Sequence, residues 1–248
     1  MKQFVFEAWQ FVLYGMRLLV SVLAGGNSCV VCGRNTALLP VCGECNSRFF
    51  SVPVGLEWEH RCSVCGKELL SLQGKCMKCR SESVLVHTDR VFPLFSYRLW
   101  NKTLLFTWKI QGERALSPFF AEKAFVLLRD LGVSVVVPVP PRKGKIRKKG
   151  WDQINELARF LKWRYGFNIH EILERCSVQE QKKLTREQRL EHIKNAYRLS
   201  NSFRGEIPEE VCLLDDVCTT GSTLESCSAV LKAAGVKKVY AVTLFTVD

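Results

Sequence analysis

The stretch from Val211 to Thr223 reads V-C-L-L-D-D-V-C-T-T-G-S-T, and a helix-like run, Leu224 to Ala234, follows at once. Val211 to Leu214 are apolar and few, as suits a strand buried on both faces. Asp215 and Asp216 come where that strand is expected to end, so two carboxylates stand at a strand tip. Thr219, Thr220, Gly221, Ser222 and Thr223 form a turn into the helix, where backbone N–H groups and the positive end of the helix dipole converge on one point suited to an anion. The hydroxyls add donors without bulk, and Gly221 allows the close approach that a phosphate cradle needs. Two acids beside a phosphate repel it unless they take another partner, either sugar hydroxyls or a Mg²⁺ that carries phosphate oxygens. The plainer reading is a solvated strand end and a Ser- or Thr-capped helix entry. Cys218 reads as a small buried hydrophobe, or as a thiol whose pKa the helix N-terminus lowers.

Working outward, the remaining segments alternate between strand and helix patterns, as an α/β domain with a mostly parallel sheet requires. Val91 to Tyr97, Val133 to Val139 and Val239 to Phe245 are the other expected strands; Lys102 to Lys109, Leu116 to Leu131 and Trp151 to Trp163 are the expected helices. The second of these strands ends in Pro138-Val139-Pro140-Pro141, an extended turn that admits a cis bond and makes a second ligand loop. Directly after it stand Arg142, Lys143, Lys145, Arg147, Lys148 and Lys149, six bases in eight residues. Such a run either floats in solvent or meets a polyanion. Its place after a strand tip favours pyrophosphate or nucleic acid, with Trp151 adjoining as a stacking platform. Gln179 to Asn195 is strongly polar; it reads as a mobile lid whose Lys182, Arg186 and Arg189 close over a pyrophosphate, or as a solvated surface helix.

Cysteine placement divides the chain. Eight of the twelve cysteines lie between Cys29 and Cys79, in four C-x-x-C pairs: Cys29 and Cys32, Cys42 and Cys45, Cys62 and Cys65, Cys76 and Cys79. The C-x-x-C-G turns at Cys29 and Cys62 let N–H groups point at thiolate sulfur, and a further pair across a hairpin completes a tetrahedron. Two zinc ribbons in tandem are expected, each with a structural Zn²⁺; sequential sites cost least in loop closure, with interleaved sites as the alternative. The pattern implies a reducing, cytoplasmic setting and speaks against a disulfide scaffold. The formal net charge of +12 falls to about +8 once eight thiolates hold two divalent ions, and the chain stays basic, pointing to anionic partners.

The domain division expected is 1–28, an amphipathic helix; 29–80, the double zinc ribbon; and 81–248, the α/β domain. In the first segment Gln3, Glu7, Gln10, Tyr14, Arg17 and Ser21 draw one narrow polar stripe. Arg17 argues against a spanning helix, leaving packing against protein or a peripheral contact at the inner membrane.

The run L-L-D-D-V-C-T-T-G-S-T resembles the phosphoribosyl-pyrophosphate (PRPP) motif of type I phosphoribosyltransferases. The resemblance implies that Asp215 and Asp216 hold ribose hydroxyls, that Thr219 to Thr223 hold the 5′-phosphate, and that Mg²⁺ accompanies PRPP. The whole order, with Tyr97 and Lys109, V-P-V-P, the basic stretch ending G-W-D-Q, L-T-R-x-x-R to N-A-Y, and the D-D motif, is similar to the ComF family of competence proteins. That likeness implies a type I phosphoribosyltransferase-like sheet with helices on both faces, behind an N-terminal helix and a small double zinc ribbon. It implies Val139 and Pro140 in the pyrophosphate loop and handling of single-stranded DNA in natural transformation; a separate reading makes the ribbons a protein surface, an adaptor for a competence helicase. An active phosphoribosyl transfer and a non-catalytic PRPP-sensing or nucleic-acid-binding adaptor both fit. Asp152 departs from the amide typical of the family at that position, which puts an acceptor contact there in doubt.

Overall fold

The computed structural model describes residues 27–36, 40–69, 74–82, 84–141, 150–176 and 196–247, with Val12, Gly15, Met16 and Leu19 before them. Two compact units emerge: residues 1–51 with 103–119, and residues 52–102 with 120–248.

The second unit holds a five-stranded sheet, every ladder parallel. Its strands are β3 (Arg90–Ser96), β4 (Val135–Pro138), β5 (Asn168–Ile169), β8 (Glu210–Cys218) and β9 (Lys238–Thr246), in the spatial order β3-β9-β8-β4-β5. Between β4 and β5 runs helix α5 (Gln153–Tyr165), and between β8 and β9 runs α6 (Ser222–Ala233). The two connections step in opposite directions along the sheet, so two right-handed crossovers put α5 and α6 on opposite faces. A two-stranded antiparallel ribbon, β6 (Leu173–Arg175) with β7 (Tyr197–Leu199), lies on the α6 side, where Leu173 and Tyr197 join its core.

Alternation along the strands selects that core. Val91, Val137, Val211, Leu213, Val239 and Ala241 face Leu224, Cys227 and Leu231 of α6. Leu213 and Leu231 are fully buried, so truncating either to Ala costs about 2–5 kcal/mol. The helix starts obey local chemistry too: Asp152 Oδ1 accepts from the Asn155 N–H at 2.9 Å and caps α5, and Gly166 at φ 75° ends it.

In the first unit, β1 (Asn27–Ser28) pairs antiparallel with β2 (Asn35–Thr36), and α1 (Gly43–Phe49) follows. Helix α3 (Leu99–Phe106) continues into one π-helical turn, Thr107–Gln111, ended by Gly112 at φ 78°. The expected helix from Lys102 to Lys109 therefore starts earlier and changes pitch, which seats Trp108 fully buried with its Nε1 donating to Ser117 Oγ at 2.9 Å. Helix α4 (Leu116–Asp130), most of which belongs to the second unit, comes next, matching the expected Leu116 to Leu131.

The amphipathic helix expected over 1–28 lies almost entirely outside the described residues. Among those described, no helix is long and apolar enough to cross a membrane.

Candidate functional site

Strand β8 runs past the point where the sequence pattern ends it. The ladder with β9 carries on through Asp215↔Thr243, Val217↔Phe245 and Cys218↔Thr246, because β9 offers backbone partners along its whole length. Aspartate is a poor strand former, and the ladder overrides it. On the other side β4 stops earlier: its last pair is Pro138↔Leu214, after which the Val139 N–H donates to the Leu214 carbonyl at 3.0 Å. Asp215 and Asp216 thus lie where β8 has lost its β4 neighbour, at the carboxyl edge of the sheet where α/β folds bind ligands. Val139 is buried and Pro140 half-buried beside them; among the described residues no peptide bond is cis.

Alternation turns the two acids to opposite faces. Asp215 is half-buried on the α6 side and accepts the Asp216 N–H at 2.8 Å through Oδ1; Asp216 is only 8% exposed. From Cys218 the chain turns through Thr219 and Thr220, both exposed, to Gly221 at φ 84°. Its left-handed conformation is what calls for glycine; a Cβ there would meet only the end of the Leu85 side chain, at 2.9 Å from Cδ2. Thr220 Oγ1 and Ser222 Oγ are 2.9 Å apart, and the Ser222 N–H meets Thr220 Oγ1 at 3.3 Å. Gly221, at the N-cap, offers no side chain, and Thr220 Oγ1 takes only the first N–H of α6.

Cys218 is a core thiol. Burial and then Asp215 push its pKa up to about 11, against Lys67 and Lys78 pulling the other way. Burial likewise holds the Cys212 thiol up at about 12 and raises that of Cys227.

Two residues near the loop escaped the sequence reading. Tyr197 is 5% exposed, its phenol accepts from Arg175 Nη1 at 2.8 Å, and a hydrogen bond with the Thr223 side chain joins it to the loop. Burial first, then neighbouring Cys227, raises the Tyr197 pKa, so it stays a neutral donor. The run N-A-Y holds Tyr197, but only the β6–β7 pairing brings Arg175 to it.

The cysteines form two sequential four-sulfur clusters, Cys29, Cys32, Cys42 and Cys45, and Cys62, Cys65, Cys76 and Cys79, each with its sulfurs within 4.8 Å of one another. Cys32 and Cys42 sulfurs are 3.7 Å apart, as are those of Cys65 and Cys76. A tetrahedron with Zn–S of about 2.3 Å has edges of about 3.8 Å, so both clusters could hold structural zinc. The halves repeat at atomic detail: the Gly33 N–H donates to Cys29 O and the Gly66 N–H to Cys62 O, while Cys42 N–H meets Cys29 Sγ at 3.3 Å and Cys76 N–H meets Cys62 Sγ at 3.4 Å. In each half the second pair opens a short helix, α1 or α2 (Met77–Ser81), so the hairpin is brief and a helix completes the cluster. Burial opposes a thiolate at Cys29, yet N–H groups of Cys42, Cys32 and Val31 bring its pKa down to about 6; the Cys65 thiol and the surrounding N–H groups bring Cys62 to about 4. Such thiolates are ready metal ligands.

The clusters belong to different units. The first shares its unit with Phe50, which is fully buried edge-on against Phe119 at 5.4 Å. The second docks on sheet edge β3: the Val91 N–H donates to Val64 O at 2.9 Å, and Trp58, on the 3-10 turn Gly55–His60, meets Phe92 edge-on at 4.9 Å. Arg61 stacks on Trp58 at 5.2 Å and donates to Gly66 O and Glu68. The segment after this cluster straps onto α6, with Glu225 accepting from the N–H groups of His87 and Thr88.

Arg142, Lys143, Lys145, Arg147, Lys148 and Lys149, and the lid residues Lys182, Arg186 and Arg189, lie outside the described residues. Trp151 is half-buried at the entry to α5. Asp152 serves as the α5 cap, which accounts for the carboxylate there without a ligand.

No protein-family profile matches the chain. It is 26% identical over 223 residues to competence protein F of Haemophilus influenzae, covering 85% of this chain and 93% of that protein. It is 25% identical over 202 residues to competence protein ComFC of Streptococcus pneumoniae, covering 80% and 84%. The likeness to the ComF proteins read from the motifs thus holds across most of the chain. Among solved structures, a purine phosphoribosyltransferase from Pyrococcus horikoshii aligns at 17% identity and TM-score 0.31, over 52% of this chain and 80% of that one. A hypoxanthine phosphoribosyltransferase from Staphylococcus aureus aligns at 14% and 0.32, over 52% and 62%.

Proposed function

We infer that this chain, as a relative of competence protein F and ComFC, is a ComF-type phosphoribosyltransferase-like protein that binds PRPP with Mg²⁺ at the β8–α6 turn. One observation carries the reading: a helix start whose N-cap is the left-handed Gly221, with no side chain of its own, and exposed Thr219 and Thr220 stand next to two acids where β4 has ended. The N–H groups and hydroxyls of Thr219 to Thr223 cradle the 5′-phosphate. Asp215 and Asp216, one from each side of the strand tip, accept hydrogen bonds from ribose hydroxyls, and Val139 and Pro140 border the pyrophosphate. Mg²⁺ brought with PRPP offsets the charge of the leaving pyrophosphate. If transfer occurs, the C1–pyrophosphate bond breaks through an oxocarbenium-like state as an acceptor nucleophile attacks C1. Lys182, Arg186 and Arg189 close over the leaving group, and Tyr197 with Arg175 braces Thr223. The basic run 142–149 and Trp151 take single-stranded DNA, in keeping with the competence role of the relatives, in the cytoplasm.

The test is calorimetric titration of PRPP, with ATP as a control polyanion. Replacing both acids, Asp215→Ala with Asp216→Ala, removes two charged acceptors each worth about 1.5–3 kcal/mol, so PRPP affinity falls about a hundredfold or more while ATP binding does not fall. Equal or tighter PRPP binding by that variant would falsify the reading, because a merely basic protein gains affinity when carboxylates are removed.

A further inference from the structure

Inside the second unit, the stretch that leaves the second cysteine cluster leads onto the Thr219–Thr223 turn. Leu85 is half-buried against the α6 core, and its Cδ2 would lie 2.9 Å from a Cβ on Gly221, so this side chain sits over the turn. At His87 and Thr88 the strap is held by Glu225, which accepts their N–H groups at 2.9 and 3.2 Å. The Glu225 N–H in turn donates to the Gly221 carbonyl at 2.9 Å. Buried Thr88 and Ser228 join their hydroxyls at 2.8 Å, and Asp89 accepts from Lys232 Nζ at 2.8 Å and from the Val239 N–H at 2.7 Å.

The other end of the strap belongs to the metal site. Cys62 and Cys65 lie in the half of the knuckle that docks on β3 through Val64 O and Gly66, whereas Cys76 and Cys79 lie in the half that leads into the strap. A zinc held by all four sulfurs joins the halves and closes a circuit that runs from the cluster along the strap to β3 and back. Opening that circuit at the metal frees the leading end of the strap, so Leu85 has more conformations to lose when the turn takes a ligand. The first cluster lies in the other unit.

We propose that Leu85 is a positioning residue for the turn, and that through it zinc at the second centre and a phosphoribosyl ligand at the turn each tighten the binding of the other. Zinc at the first centre takes no part. The proposal rests on the reading of Thr219 to Thr223 as a ligand loop. Linkage makes the effect reciprocal: the factor that zinc adds to ligand affinity is the factor that ligand adds to zinc affinity. The competing account is that the strap is packing alone, which leaves zinc and ligand independent.

The test challenges the full-length, zinc-loaded chain with an excess of a chromophoric chelator in Mg²⁺, with and without saturating PRPP, and follows zinc release by absorbance; ATP is the control polyanion. PRPP slows the release of about one of the two zinc ions by about fivefold or more, and ATP protects neither. In Cys29→Ser with Cys32→Ser, the zinc that remains keeps the whole protection. Leu85→Ala keeps both zinc ions, loses the protection, and binds PRPP about three- to tenfold more weakly in calorimetry. Val86→Ala, at a neighbouring side chain that is 76% exposed, changes neither. Equal release with and without PRPP, equal protection of both ions, or full protection in Leu85→Ala overturns the proposal. Should Leu85→Ala shed zinc, release from the unaltered chain and from the Cys29→Ser, Cys32→Ser variant decides. Calorimetric binding of PRPP without protection leaves the ligand-loop reading standing and removes the coupling; no binding of PRPP by the unaltered chain removes both.

Discussion

Gly33 and Gly66 occupy equivalent turns, at φ 74° and φ 69°, yet only one is hemmed in. A Cβ at Gly33 meets nothing within 4 Å, whereas at Gly66 it would lie 2.3 Å from Pro93 Cδ and 2.4 Å from Val91 O. Gly33→Ala therefore costs the left-handed penalty of about 1–2 kcal/mol. Gly66→Ala adds a collision with the backbone of β3 and lowers the denaturation midpoint of the second unit much further; equal shifts for the two variants would refute the docking of that turn on the strand. The sequence pattern C-x-x-C-G makes the two glycines look alike, because the second constraint comes from a strand more than twenty residues away. The same limit hid Arg175 and Tyr197, and it hid the extension of β8: Asp215 and Asp216 argue locally for a strand end, and the β9 ladder outweighs them. Gly221, by contrast, was legible, since helix entry and tight turn are both written in T-T-G-S-T.

At the scale of elements, each cysteine cluster is a knuckle plus one short helix, too small to bury a core of its own, so bound zinc would supply much of its stability. Elemental analysis of the purified chain should find about two zinc ions per molecule, and Cys29→Ser with Cys32→Ser should leave about one. Zinc near zero in the unaltered chain, or no change in the variant, contradicts this assignment. The four long strands and the main helices were readable from period and turn residues, with shifts of a few residues at their ends. The β6–β7 ribbon was not: three-residue strands carry too little periodicity, and their pairing spans a polar segment. Loop closure favours sequential clusters over the interleaved alternative, and sequential clusters are what the cysteines form.

For the whole molecule, a formal net charge of +12 predicts that the proposed binding of single-stranded DNA is salt-dependent, with log affinity falling about linearly with log salt. Neutralising Lys145, Arg147 and Lys148 together should weaken binding in filter or anisotropy assays and flatten that slope by about two to three units, consistent with a few lost phosphate contacts; an unaltered slope removes the run from the interface. The parallel edge pair β3 and β9 has a further consequence for how the molecule is made. Arg90 pairs with Tyr240 and Asp89 accepts the Val239 N–H across a separation of 150 residues. On the ribosome, Cys79 therefore emerges, and the second metal site can close, long before the strand it leans on has any neighbour. Metal comes first and the sheet last, so a nascent chain starved of zinc would expose the bare flank of β3 for most of its synthesis, a vulnerability to aggregation set by order of emergence rather than by final stability.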